Sequence, residues 1–224
     1  MFRLLPALFV AVAVVAAPSR RASVAFVDPT TGGGTWLDHN PGSDLGEPLN
    51  VVVSGLSSPT VLDLKGQGFM NYVKSFDFSQ ECLGLHQGDP QSANLGDGNG
   101  LVNQTVEIRQ DFGNSVFGSC LESLTGGNHF RVFIQNGPAA NTGALFLAAS
   151  QEEDLSQGHT ISPNGYNVGR DALVKAAVGT HSFQGVTYTT TSQVLSGVMP
   201  AGSNGVNHGI AVDGNAVLLT VTTS

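Results

Sequence analysis

His129 and Arg131 stand two apart in the run GGNHFRVFIQNG. On an extended strand that spacing projects both side chains from one face, with Phe133, while Phe130, Val132 and Ile134 make an apolar opposite face. A histidine next to an arginine can transfer a proton while the guanidinium holds an anionic oxygen. Downstream, His159 precedes the pair Arg170–Asp171 at the start of a helical pattern. The sequence therefore nominates His129, Arg131, His159, Arg170 and Asp171 as one polar site for a phosphate- or carboxylate-bearing ligand. Each residue also has an ordinary structural role. His129 can be a hydrogen-bonded, half-buried histidine, Arg131 can pair with an acid across the sheet, and Asp171 suits a helix dipole. Convergence in a concave pocket favours the site, and scattering favours the structural roles.

Other chemistries are poorly represented. There is no G-x-S-x-G elbow, and Gly96-Asp97-Gly98-Asn99-Gly100 lacks the G-K-[ST] ending of a phosphate loop. Histidines can bind zinc, but H-E-x-x-H and close Cys/His spacing are missing. Asp89, Asn94, Asp97 and Asn99 resemble a calcium loop only superficially, because two ligands, not three, follow the alternate spacing. No metal centre and no cofactor are expected.

The chain has 17 acids against 9 bases, which argues against a nucleic-acid partner. Residues 1–17 read as a signal peptide: Arg3, then an apolar run over 4–16 too short to span a bilayer, then small residues. No membrane span is expected once it is cleaved, and Arg20-Arg21 offers a dibasic processing site. Removing residues 1–21 leaves 6 bases and 17 acids, a net charge of −11 with His neutral. In an exported chain the two cysteines, Cys82 and Cys120, are expected to pair. Asn103-Gln104-Thr105 is a glycosylation sequon, with Asn103 on the solvent side of a strand. The expected localisation is secreted, extracellular.

The elements that must position these residues follow from periodicity. A strand over 48–56 carries three consecutive valines, as a central strand does. Ser58 and Pro59 read as the cap and first residue of a helical piece over 60–65, followed by a second over 69–76. Residues 78–100 read as a turn-rich loop containing His86, and 101–112 as one half-exposed strand with Glu107 and Arg109 on its outer face. A helical turn over 119–124 carries Cys120. Strands over 128–134 and 144–149, a helix over 165–178, a strand over 183–194, and a hairpin of 209–212 with 216–221 about Asp213-Gly214-Asn215 complete the reading. Residues 18–35 form a flexible N-terminal segment with nothing to build a core, and Trp36 anchors it to a single α/β domain over 36–224. The expected fold is an α+β sandwich: a mixed, largely antiparallel sheet, a few short helices and a β-rich C-terminal part.

The run Asn128 to Phe133, the strand ending at Ser150, and the stretch from His159 to Asp171 resemble the LssY C-terminal-like family, which has H-x-R-x-W in one strand. Here Phe133 stands at the tryptophan position, and the stretch from Cys82 to Gly100 has no counterpart. The resemblance implies an α/β sandwich and no defined activity. Some family members are joined to membrane phosphatase modules, which hints at phosphate or lipid ligands. Two functions follow: a secreted, non-catalytic interaction or surface protein with an unknown extracellular partner, or a secreted hydrolase acting on an anionic small ligand through His129 and Arg131.

Overall fold

The computed structural model describes residues 23–85 and 89–224. The expected signal peptide, Arg20-Arg21 and His86 lie outside the described residues. Among the described residues the strands are β1 (Val51–Val53), β2 (Phe78–Gln80), β3 (Ser92–Asn94), β4 (Leu101–Asn103), β5 (Val106–Gln110), β6 (Gly127–Asn136), β7 (Asn141–Glu152), β8 (Gly179–Phe183), β9 (Val186–Leu195) and β10 (Ala216–Thr223). The α-helices are α1 (Gly68–Lys74), α2 (Gly118–Thr125) and α3 (Gly165–Ala177). Eight strands form one sheet in the order β2-β5-β6-β7-β1-β10-β9-β8, and β3 and β4 form a separate ribbon. Neighbours in the large sheet run antiparallel except β1 with β10. This is the α+β sandwich with a mixed, largely antiparallel sheet that the periodicity implies.

The sheet is covered on both sides. One core joins Val51, Val53, Ile108, Phe130, Val132, Leu145, Leu147 and Leu219 to Phe69, Tyr72 and Val73 of α1 and Leu173 of α3. The other joins Val52, Phe133, Phe146, Ala148 and Leu218 to Trp36, Tyr166, Val206 and Val212. Each of the three valines of β1 is buried, as burial on both faces of a central strand requires. Trp36 is the anchor expected of it: its ring lies 5.6 Å from Phe146 and its Nε1 donates to Asp28 Oδ1 at 3.1 Å. Phe26 packs edge-on against both rings, so the segment before Trp36 does contribute to a core.

Other departures have local causes. The strand over 48–56 narrows to Val51–Val53. Residues 58–63 form successive turns, not a helix, because the Ser58 hydroxyl is committed to the backbone N–H of Thr223 at 3.0 Å. The 78–100 loop contains β2 and β3. The strand over 101–112 breaks at Gln104 and Thr105, whose N–H groups turn to different partners, Gln91 O and Val132 O. The hairpin about Asp213-Gly214-Asn215 does not form: β10 pairs with β9 and β1, while Val212 bridges to Gly202. Cys82 and Cys120 are disulfide-bonded, joining the turn at 82–84 to α2. Among the described residues, no helix is long and apolar enough to cross a membrane.

Candidate functional site

The register of β5, β6 and β7 sets Arg109, His129 and Ser150 abreast, with Glu107 beside Arg131 one pair further along. Ile108, Phe130 and Ala149 belong to the apolar core on the other face, so the polar residues of all three strands share one face. Three covering segments add acids and a second histidine. Residues 37–48 supply Asp38 and Glu47, fixed by the Leu37–Pro48 bridge and by Asp38 N–H donating to Glu47 O at 2.9 Å. Helix α2 supplies Glu122. It lies so close to β5 that a Cβ on Gly118 would collide with the Asp111 carbonyl, so glycine is required there. The loop after β7 supplies His159, set by two consecutive left-handed residues, Gly158 (φ 76°) and His159 (φ 53°).

These side chains form one network. Arg131 Nη1 donates to Glu47 Oε2 at 2.7 Å, and its Nε lies 3.3 Å from Glu107 Oε2. Arg109 donates to Glu107 Oε1 at 2.7 Å, Glu122 Oε2 at 3.0 Å and Glu152 Oε2 at 2.9 Å. His129 Nδ1 lies 3.3 Å from Glu152 Oε1, and its Nε2 lies 3.3 Å from Arg131 Nη1 and 3.2 Å from Ser150 Oγ. His159 Nδ1 sits 3.1 Å from Glu152 Oε2. Asp38 Oδ1 accepts the Glu47 N–H at 2.7 Å.

Burial decides the charge states. His129 is fully buried; desolvation, then the Arg131 and Arg109 charges, hold its pKa well below the ordinary value, so it is neutral. Burial also disfavours the Arg131 and Arg109 cations, but the surrounding glutamates outweigh it and raise both pKa values. Asp38 is raised well above its ordinary value by burial and then by Glu47. Glu122 is pushed up to about 7 by burial, against the pull of Arg109, and Glu152 is raised for the same reason. Five carboxyl groups, of which burial pushes Asp38 and Glu122 toward the neutral form, thus surround two guanidiniums. An incoming phosphate or carboxylate would meet a net negative field, and both nitrogens of His129 already face protein partners.

The structure brings His129, Arg131 and His159 together. Arg170 belongs to a different arrangement: it pairs with Asp171 at 2.9 Å, with Asp213 at 2.7 and 2.9 Å, and donates to Asn215 O at 3.1 Å. Asp171 is mostly exposed. A groove of about 430 Å³ reaches the network's edge, lined by Gln80, Glu81, Pro90, Gln104 and Glu107, and neither His129 nor Arg131 lines it. Sequence reasoning missed Asp38, Glu47, Glu107, Arg109, Glu122 and Glu152. Glu107 and Arg109 were expected on an outer face, yet Glu107 is buried and Arg109 nearly so, because α2 and residues 37–48 cover that face. The available signal was charge at strand positions directly opposite His129 and Arg131. Comparison with protein-family models, curated proteins and solved structures returned no match.

Proposed function

We propose that the protein is exported and acts outside the cell as a non-catalytic interaction protein, with the strand arrangement of the LssY C-terminal-like type and a glycan on exposed Asn103 of β4. The observation that carries this reading is an exposed apolar stripe. Phe117, Leu121 and Leu124 are 63, 47 and 58% exposed and follow one helical face, with Val116 and Leu83 exposed nearby. The disulfide ties α2, which carries this surface, to the turn at 82–84. In the exported chain, of net charge −11 once residues 1–21 are removed, it suits a protein partner with an apolar face ringed by basic residues. The hydrolase alternative requires Arg131 to leave Glu47 and Glu107 and bind an anion amid five carboxyl groups.

Thermal shift against a panel of phosphate and carboxylate compounds separates the two. No compound is expected to stabilise the wild type, and Arg131→Ala melts earlier. An anion that raises the melting temperature of the wild type but not of Arg131→Ala would establish the hydrolase-type site instead.

A further inference from the structure

Where α2, the end of β7 and the following loop meet, Glu122, Glu152 and His159 each present a potential ligand atom within 4.8 Å of the other two. Two of these residues carry polar atoms that the described residues do not satisfy. Among the described residues, Glu122 Oε1 and His159 Nε2 are buried without a hydrogen-bond partner. Glu122 is fully buried, and an unpaired carboxylate oxygen there is costly, so native proteins rarely leave one. Hydrogen bonding explains why these atoms are left over. Arg109 Nη1 takes one oxygen of each glutamate, Oε2 in both cases, and so fixes the two carboxylates while leaving Glu122 Oε1 unused. Glu152 Oε2 lies 3.1 Å from His159 Nδ1, and His159 Nε2 is left without a partner among the described residues.

We propose that Glu122, Glu152 and His159 form a binding site for a divalent transition cation of the zinc class. One imidazole and two carboxylates are a borderline N/O donor set, which suits zinc better than the all-oxygen sets of calcium or magnesium. A cation of charge +2 also favours the ionised form of Glu122, which burial otherwise opposes. His159, 23% exposed at its side chain, gives the ion a path from solvent. Arg109 is a positioning residue for the two glutamates. Bound metal links α2, β7 and the 153–162 loop, and with three protein ligands it keeps a position open for water or a group from a partner.

The test is calorimetric titration of the chelator-stripped full chain with Zn2+, and separately with Ca2+. One Zn2+ per chain is expected. His159→Gln, a loop substitution that leaves the sheet intact, should weaken binding about tenfold or more. Glu122→Gln, checked for folding by circular dichroism, should do the same, and His181→Gln, outside the cluster, should leave it unchanged. Co2+ in place of Zn2+ should give visible absorption that Zn2+ displaces and His159→Gln abolishes. The proposal is overturned if the wild type takes up no Zn2+, if His159→Gln binds it as tightly as wild type, or if only Ca2+ binds.

Discussion

The two faces of β5, β6 and β7 are made from alternate residues of the same strands, and they hold together by different physics. On one face Ile108, Phe130 and Ala149 lie abreast in an apolar core. On the other, in the next register, Arg109, His129 and Ser150 lie abreast in a charged one. Apolar contact is non-directional, so the first face loses stability in proportion to the surface removed. The second depends on each cation keeping its acids. There, removal of one group leaves buried charges with no counterpart.

The sharpest test pairs one residue from each face. Arg109→Ala leaves Glu107, Glu122 and Glu152 without their shared cation and is expected to cost about 3–5 kcal/mol in urea unfolding. Phe130→Ala should cost about the same for a different reason, a cavity in a packed core. The pH dependence separates them. The Arg109→Ala deficit should shrink toward acid pH as the freed carboxylates protonate, and the Phe130→Ala deficit should stay constant. Equal pH profiles would erase the distinction between the faces.

Next in size is the disulfide. Its 38-residue separation predicts a loss of about 3–4 kcal/mol for the Cys82→Ala/Cys120→Ala protein. Because α2 lids the charged face, hydrogen exchange should accelerate first at β5 and α2, with α1 and the apolar core following only in global unfolding. Uniform acceleration would show that the lid and the sheet are one cooperative unit.

Smallest is Asp38→Asn. Burial, with Glu47 next in importance, raises the folded pKa of Asp38 above its unfolded value. Between those two values the native state binds the extra proton, so stability falls as pH rises from the unfolded pKa through the folded one. An asparagine keeps the acceptor for the Glu47 N–H and removes that slope. The variant should match wild type in acid and exceed it at neutral pH. A variant less stable than wild type at neutral pH would mean that Asp38 is held ionised.

The sheet was legible where alternation ran long. The strands near 128–134 and 144–149 and the helix near 165–178 are present, lengthened or trimmed at their ends, and His129 and Arg131 do share a face opposite Phe130 and Val132. What alternation could not convey is what covers the polar side. Glu107 and Arg109 have the pattern of a solvated face, and only tertiary placement of Glu47 and Glu122, 60 and 15 residues away from Glu107, turns it inward. Proximity in sequence also joined Arg170 to His159, whereas Arg170 is committed to Asp213 by contacts 43 residues apart. The Glu122–Glu152–His159 grouping had no spacing signature, since its members sit on a helix, a strand and a loop.

One topological feature bears on how the chain folds. Strand β1 is three residues long and lies between β7 and β10, and among the described strands it alone joins the two halves of the large sheet. Its partners are Leu145–Leu147 on one edge and Val217–Leu219 on the other. Both closures span long loops, and the second is parallel, so each costs considerable chain entropy before any contact compensates. Until β10 docks, the apolar strand Val51–Val53 has an unpaired edge, the kind of template on which a second chain can add. Refolding yield should therefore fall with protein concentration, and the vulnerable interval ends when residues 217–219 reach β1.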